Sequence, residues 1–183
     1  MTGRTLPLVT LFLLFASILT LPMAQAPEPL DGPKRPLYDD LLDRMAGAWR
    51  LTGLVAGGNA NHDVRAEWIL NHQFLQVHEK AVDSSGGNPP YEAFFIIGYD
   101  NASERYVTHL VDIYGGRFSE TLGFGKRAGN SLELVFEYPD GPFRTVFEWR
   151  PEKSEWHWRM TQKNQAGKWT EFGNMTLVRA AAK

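Results

Sequence analysis

Cysteine is absent from this sequence of 183 residues, and its absence removes several classes of function at once. A chain without thiols can have no disulfide framework, no thiolate zinc site, no cysteine nucleophile and no cysteine that carries a lipid anchor. If the protein is exported, a chain without disulfides suits the bacterial periplasm or the cell exterior.

An excess of basic charge is also missing, since 19 Lys and Arg residues stand against 21 Asp and Glu residues, for a net charge of −2. Proteins that bind nucleic acid need a basic surface that displaces counterions from the phosphates. The composition therefore disfavours a nucleic-acid partner and predicts a mildly acidic surface.

Common catalytic and metal-binding motifs are scarce. Ser119 and Ser131 lie outside any Gly-x-Ser-x-Gly elbow. Gly123 and Gly125 lack the following helix that a phosphate loop needs. Metal-ligand spacing is not shown by the five histidines, which are His62, His72, His78, His109 and His157. We therefore expect no metal site.

Residues 1–26 have the pattern of a secretory signal peptide. Residues 5–27 carry no charge, follow Arg4, and hold a leucine-rich centre that ends near Ala24 and Ala26, the small residues of a cleavage site. Pro27 would follow the cut and is a poor residue there, so an uncleaved membrane anchor is the alternative. Cleavage would remove one basic residue, leave a net charge of −3, and place the protein in the periplasm or outside the cell.

The rest of the chain predicts a linker followed by one β domain. Residues 27–37 are rich in proline and have no periodicity, as in linkers. From about Trp49 to Arg179, apolar and polar residues alternate with a period of two, in segments joined by short turns. We count ten such segments and predict an all-β, up-and-down antiparallel barrel, because closure removes both edges of the sheet. Residues 180–183 should fray as a tail.

A short helix is predicted just before the first strand, around residues 39–45, where it should close one end of the barrel. Gly47 follows it as a turn residue, and Trp49 is the first large side chain of the predicted core.

Gly47-x-Trp49, together with Arg179 in the last strand, resembles the closure of the calycins, lipocalin-like proteins in which an arginine lies over the tryptophan at the closed end. Further blocks are similar to bacterial lipocalin-like proteins catalogued only as a domain of unknown function; they are Trp68-x-Leu70-x-x-x-Phe74-Leu75, Gly98-Tyr99-Asp100, Tyr106-Val107 and Asp112. The resemblance covers residues 38–179, with departures at His72, Gln73 and Leu110. It implies a calycin-like fold with a pocket and no assigned chemistry.

Four acidic residues fall on the apolar parity of predicted strands, namely Glu79, Asp112, Glu120 and Glu171. A buried, unpaired carboxylate is costly, so such residues either contact a ligand or act as acids and bases. Alternatively, local bulges turn them to solvent, or arginines such as Arg144 and Arg159 pair with them.

Aromatic residues are the second candidate lining. Four tryptophans fall on predicted inner faces and either wall a pocket or fill the barrel, namely Trp68, Trp149, Trp158 and Trp169. Phe95 belongs to a strand that is apolar on both faces, and Tyr99 ends that strand. The facing of the fifth strand, at 105–114, is ambiguous, and the sixth is predicted to carry Phe118 and Glu120 on one face.

The sequence thus predicts an exported barrel that binds a small apolar or amphipathic molecule, with membrane contact only through an uncleaved N-terminal segment. The candidate pocket residues are Trp68, Glu79, Phe95, Tyr99, Asp112, Glu120, Trp149 and Trp158. An enzyme of the isomerase or hydrolase type that uses the inner carboxylates is an alternative. A haem barrel with His109 or His157 as axial ligand is another; otherwise we expect no cofactor.

Overall fold

The computed structural model of the protein describes residues 35–82, 89–164 and 166–181. The predicted signal segment and most of the predicted linker lie outside these residues. The helices and strands are α1 (Asp40–Met45), β1 (Gly47–Val55), β2 (Gly58–Ile69), β3 (Phe74–Ala81), β4 (Glu92–Asp100), β5 (Arg105–Asp112), α2 (Gly116–Ser119), β6 (Gly123–Ala128), β7 (Ser131–Tyr138), β8 (Gly141–Arg150), β9 (Glu155–Lys163) and β10 (Trp169–Arg179).

The ten strands form a closed antiparallel barrel in which each strand pairs with its neighbours in the sequence. The ring is closed by β1 and β10, whose register runs from Trp49 opposite Arg179 to Val55 opposite Gly173. The prediction of an all-β, up-and-down barrel of ten strands is therefore confirmed. Among the described residues, no helix is long and apolar enough to span a membrane.

Alternate residues of each strand point into the barrel, as the period of two predicts. On β3, for example, Leu75, Val77 and Glu79 are all buried. On β5, whose facing the sequence left open, Tyr106 and Thr108 are buried and continue the inward series to Leu110 and Asp112.

Helix α1 closes one end of the barrel and is tied down at both of its termini. Asp39 caps its N-terminus by accepting hydrogen bonds from the backbone N–H groups of Leu41 and Leu42, at 2.9 and 3.0 Å. Tyr106 donates its hydroxyl proton to the same carboxylate. Arg127 adds an ion pair at 3.3 Å. The cap is therefore held by two strands on one side of the barrel.

Arg179 performs the matching role at the C-terminal end of α1. Its guanidinium donates to the carbonyl oxygens of Ala46 and Arg44, at 2.7 and 3.0 Å, and so satisfies acceptors that the helix leaves free. The guanidinium carbon also lies 3.9 Å from the centre of the Trp49 ring, so the predicted arginine–tryptophan contact is present. Burial lowers the pKa of Arg179 from its usual value.

The contact between Arg179 and Trp49 leaves no room for a side chain at position 47. A Cβ at Gly47 would lie 2.1 Å from Nη1 of Arg179, and the residue has a φ of +126°. Trp49 is fully buried, and its indole N–H donates to the carbonyl oxygen of Met45 at 2.7 Å. The three residues of the predicted closure therefore form one packed unit with the helix.

Two strand predictions are wrong. The predicted start of the sixth strand is instead the helical turn α2, Gly116–Ser119, so Glu120 is an exposed residue at the end of that turn and does not face inward. In the last strand, a bulge between Glu171 and Gly173 reverses the facing. Glu171 is exposed, and Trp169 packs against Arg144, a neighbour whose side chain leaves β8 on the outer face.

The end of the predicted linker is attached to the barrel. The backbone N–H of Leu37 donates to the carbonyl oxygen of His72 at 2.9 Å, and Nδ1 of His72 contacts the carbonyl oxygen of Leu37 at 2.7 Å. The side-chain amide of Gln73 donates to the carbonyl oxygen of Arg35 at 2.6 Å. The β2–β3 turn therefore holds residues 35–37 against the closed end.

Candidate functional site

A cavity of about 560 Å³ opens at the end of the barrel opposite α1. Successive connections of an up-and-down barrel alternate between its two ends, and the strand ends beside the β1–β2, β5–β6 and β7–β8 connections surround this opening. The volume lies within the range of about 300–1,000 Å³ that is typical of small-molecule sites. We call this end the open end and the end with α1 the closed end.

Aromatic side chains surround the mouth of the cavity as a chain of ring contacts, which we call the aromatic belt. Successive ring centres along it lie 5.3 to 6.4 Å apart, within the range for favourable aromatic pairs. The belt consists of Tyr91, Tyr114, Phe118, Tyr138, Phe143 and Phe172. Between Phe172 and Tyr91, the wall of the mouth is completed by β1 and β2 through Val55, Ala56 and His62.

The floor of the cavity is also aromatic. Trp158 is almost fully buried, its indole N–H donates to Oγ1 of Thr145 at 2.6 Å, and its ring meets Phe95 edge to face at 5.2 Å. Phe136, fully buried on β7, stacks on Tyr138 with ring centres 5.4 Å apart. Below this layer the side chains fill the barrel.

A hydrogen-bonded pair of ionisable residues forms part of the wall. Glu79 on β3 is only 4% exposed, and its Oε1 lies 2.5 Å from Nδ1 of His62 on β2. Because an ionised carboxylate only accepts hydrogen bonds, Nδ1 is the donor when Glu79 is ionised. The ring of His62 also packs against Tyr91, with centres 5.8 Å apart.

Asp112 provides a second carboxyl group at the same height in the barrel. Glu79 and Asp112 are both register partners of Ala93, on opposite sides of β4. Oδ1 of Asp112 accepts a hydrogen bond from the backbone N–H of Tyr114 at 2.9 Å. Burial raises the pKa of Asp112, and the hydrogen bond from Tyr114 opposes that shift.

Two tyrosine hydroxyls of the cavity are held in the neutral form. Burial, assisted by the charges of Glu79 and Asp112, raises the pKa of Tyr91 far above its usual value. Burial and the charge of Asp112 raise the pKa of Tyr138 to about 12. The buried Oη of Tyr138 has no hydrogen-bond partner among the described residues. Both hydroxyls therefore stay protonated at neutral pH.

The structure brings four of the eight predicted pocket residues to this cavity, namely Glu79, Phe95, Asp112 and Trp158. Trp68, Tyr99 and Trp149 do not line it. Each belongs to the alternate residues that face inward on its strand, but each lies near a connection at the closed end. Glu120, the eighth, follows the helical turn α2 and is exposed.

The three displaced aromatic residues contribute to the closed end. Trp68 donates its indole N–H to Oδ1 of Asp43 at 2.8 Å and stacks on His72. Trp149 packs edge to face against Trp49, with ring centres 6.3 Å apart. Tyr99 lines a shallow surface groove of about 390 Å³ beside the start of α1. These positions suit packing around the helix.

The two histidines proposed as haem ligands face away from the cavity. His109 contacts the carbonyl oxygen of Ser119 at 2.6 Å, and His157 contacts Arg150 and Asn174 at 2.6 and 2.8 Å. Their strand neighbours Thr108 and Trp158 are the inward residues. An interior haem ligated by either histidine does not fit this geometry. Within the described ranges, no cluster of three or more His, Asp or Glu residues could hold a metal ion.

Several residues of the cavity were missed by sequence reasoning, although part of their signal was present. His62 shares the parity of Val64 and Ala66, and Tyr91 that of Ala93 and Phe95. Tyr114 has the parity of Asp112 in the predicted fifth strand, and Phe118 shares the predicted face of Glu120, although the structure has them beyond the end of β5 and in α2. Phe172 carried no such signal, because it lies at the β10 bulge.

These observations define the class of the protein, a closed ten-stranded barrel with one plugged end and an aromatic-lined cavity at the other. Residues 39–179 match the family model described as a protein of unknown function, DUF1579. Since the match covers more than half of the chain, the protein belongs to this family. No curated protein matches the sequence.

Proposed function

We propose that the protein is an exported, calycin-like barrel that binds a small amphipathic molecule in the cavity of its open end. The observation that carries the proposal is the cavity itself, with its volume of about 560 Å³ and its lining of mainly aromatic and aliphatic side chains. Sites for small molecules combine such a lining with a few placed polar groups. Here the carboxyl groups of Glu79 and Asp112 are those groups.

The calycin relationship is supported by the packing of Gly47, Trp49 and Arg179 at the closed end. This relationship concerns the fold alone, so the function is argued from the cavity. Export is supported by the uncharged, leucine-rich segment of residues 5–27 and the small residues before Pro27. A periplasmic or secreted barrel would meet its ligand outside the cytoplasm.

The test is a titration of protein produced from the whole 183-residue sequence with the neutral fluorescent probe N-phenyl-1-naphthylamine. Leu110→Trp should fill part of the cavity and weaken probe binding at least about tenfold, because Leu110 lines it. Val107→Trp is the matched control, since Val107 lies on the same strand with outward parity. Native mass spectrometry of protein from its own host would show whether a ligand is retained. Equal binding by both variants would contradict the proposal.

A second candidate is an enzyme of the isomerase or hydrolase type, favoured by the pair of His62 and Glu79. A buried carboxylate that holds one imidazole nitrogen leaves the other to accept or donate a proton in the cavity. The 2.5 Å contact gives the orientation that such a base requires.

Substitution separates the enzyme from the carrier. His62→Asn should abolish turnover of a substrate while leaving its binding within a few fold. In a carrier, the same substitution should change only affinity. A compound that native mass spectrometry shows to be retained is the first substrate to test. If the wild-type protein releases this compound unchanged over hours, the hypothesis of an enzyme is contradicted.

A further inference from the structure

The cavity has an unbalanced charge distribution, which bears on the chemistry of its ligand. We propose that the ligand carries a cationic head group, a protonated amine or a quaternary ammonium, that lies between Glu79 and Asp112. This inference rests on the proposed binding function and specifies the class of molecule that is bound.

The register of the sheet places two carboxyl groups on one part of the cavity wall. Glu79, Ala93 and Asp112 occupy one row across β3, β4 and β5. Neighbouring strands lie about 4.8 Å apart, so the two acidic residues are separated by about 10 Å at the backbone. Ala93 is fully buried beneath neighbouring side chains, whereas Glu79 and Asp112 line the cavity. We call the part of the cavity between these two carboxyl groups the gap.

Charges of the protein leave this gap negative. His62 is the one basic group hydrogen-bonded to Glu79 in the described chain. When Glu79 is ionised, a protonated His62 brings the summed charge of the two side chains to zero and a neutral His62 leaves it at −1. Asp112 has no ion-pair partner among the described residues and accepts one backbone N–H. A cation brought to this place would meet at least one uncompensated carboxylate.

The other charges of the lining are engaged at the rim. Asp140 forms an ion pair with Arg117. The ammonium of Lys163 lies 5.9 Å from the centre of the Trp169 ring, on the outer surface of the barrel. Neither charge is directed at the gap, so the rim does not offset the charge of Asp112.

The aromatic residues around the gap favour a cation as well. Tyr91 and Phe95 lie two positions above and below Ala93 on the same face. The face of an aromatic ring attracts a cation, and quaternary ammonium groups are bound in this way. An anionic head group would meet the ring faces and both carboxylates with the wrong sign.

Asp112 is the group of this site whose charge responds to a bound cation. Burial holds the pKa of Asp112 above its usual range, and a cation beside it would favour its ionised form.

The experiment compares three molecules with the same ten-carbon chain, decyltrimethylammonium, decanol and decanoate, as competitors of N-phenyl-1-naphthylamine at pH 7.5. We expect the ammonium to bind at least about tenfold more tightly than the alcohol and the carboxylate to bind most weakly. Asp112→Asn should reduce binding of the ammonium at least about fivefold and leave the alcohol within twofold. Asp63→Asn, on the outer face of β2 where Asp63 pairs with Arg50 at 3.0 Å, is the matched control and should change neither.

Each outcome bears on the inference. If the alcohol or the carboxylate binds as tightly as the ammonium, the cationic head group is refuted while the binding function stands. If none of the three displaces the probe and the probe itself does not bind, the binding function fails and the inference with it. Glu79→Gln is a second variant, which keeps the shape of the side chain and removes its charge, and it should weaken binding of the ammonium more than binding of the alcohol. Equal effects on both would place the head group elsewhere.

Discussion

At the closed end of the barrel, the fully buried Trp49 is covered by the guanidinium of Arg179, and both side chains bond to carbonyl oxygens around the end of α1. At the open end, the carboxyl groups of Glu79 and Asp112 and the rings of Tyr138 and Trp158 border a cavity of about 560 Å³. Side chains at the first end are packed on one another and on α1. Those at the second end border space that a bound molecule can occupy.

The difference has a thermodynamic meaning. A side chain removed from a packed layer leaves a void and loses its contacts, whereas one that borders a cavity loses fewer contacts. Removal of side chains at the closed end should therefore lower stability. Removal of polar groups at the open end should affect binding more than stability.

The largest effect is expected for Trp49→Ala, which should lower the free energy of unfolding by about 3–5 kcal/mol because it leaves a cavity in a packed layer. Urea unfolding followed by circular dichroism measures it. Phe118→Ala at the half-buried mouth is the comparison and should cost about 1 kcal/mol. Equal losses would show that the two ends do not differ in packing.

Gly47→Ala should lower stability by about 2–4 kcal/mol. The new Cβ would lie 2.1 Å from Arg179 Nη1, and the φ of +126° disfavours any side chain. Gly57→Ala in the β1–β2 turn of the open end isolates the effect of a positive φ. The φ of Gly57 is +80°, but no atom lies within 4 Å of the position that its Cβ would take. We expect about 1–2 kcal/mol there. A larger loss for Gly57→Ala than for Gly47→Ala would contradict the packing of Arg179.

Tyr138→Phe removes the hydroxyl that lacks a partner in the described part of the chain, and it should leave stability unchanged or raise it by about 1 kcal/mol. Removal of a tyrosine with a pKa of about 12 should also delete a late step from the alkaline absorbance titration. Thermal unfolding of the empty protein gives the first result. A loss of more than 1 kcal/mol would mean that the hydroxyl supports the fold.

The smallest effect is expected for Asp112→Asn, with a sign that depends on pH. Because burial raises the pKa of Asp112 in the folded state, the folded protein holds this proton to higher pH than the unfolded chain does. Stability is therefore lost as pH rises from the usual carboxyl range through the folded pKa. The amide should remove this loss, and the gain at pH 7 should stay below about 1 kcal/mol because water screens the half-exposed group.

A measurement of both proteins at pH 3 and pH 7 tests this sign. The advantage of Asp112→Asn should be present at pH 7 and shrink at pH 3, where the acid is protonated in both states. The opposite trend would show that Asp112 has a stabilising partner.

Much of the fold was predictable because strand periodicity reports the inner and outer faces directly. The inward direction of Glu79 and Trp158 followed from it, whereas the direction of Asp112 was left open with the facing of its strand. The same rule misplaced Trp68 and Trp149, because a period of two gives the face of the sheet but not the height along the barrel.

Two departures from regular strands could not be read from the pattern. The bulge between Glu171 and Gly173 turned Glu171 and Trp169 outward, and the helical turn α2 removed Glu120 from the sheet. A single inserted residue reverses every later facing. The position of the bulge depends on how β10 pairs with β9, which is a separate segment of the chain.

The sequence alone determined the strand number, the connectivity and the closure by Gly47, Trp49 and Arg179, because these depend on local alternation, turns and one compact motif. Only the tertiary structure decided that β3, β4 and β5 bring Glu79 and Asp112 to the two sides of Ala93, and that the aromatic belt surrounds a cavity. Such contacts depend on how strands distant in sequence align around the barrel. The volume left among side chains is a property of their packing together.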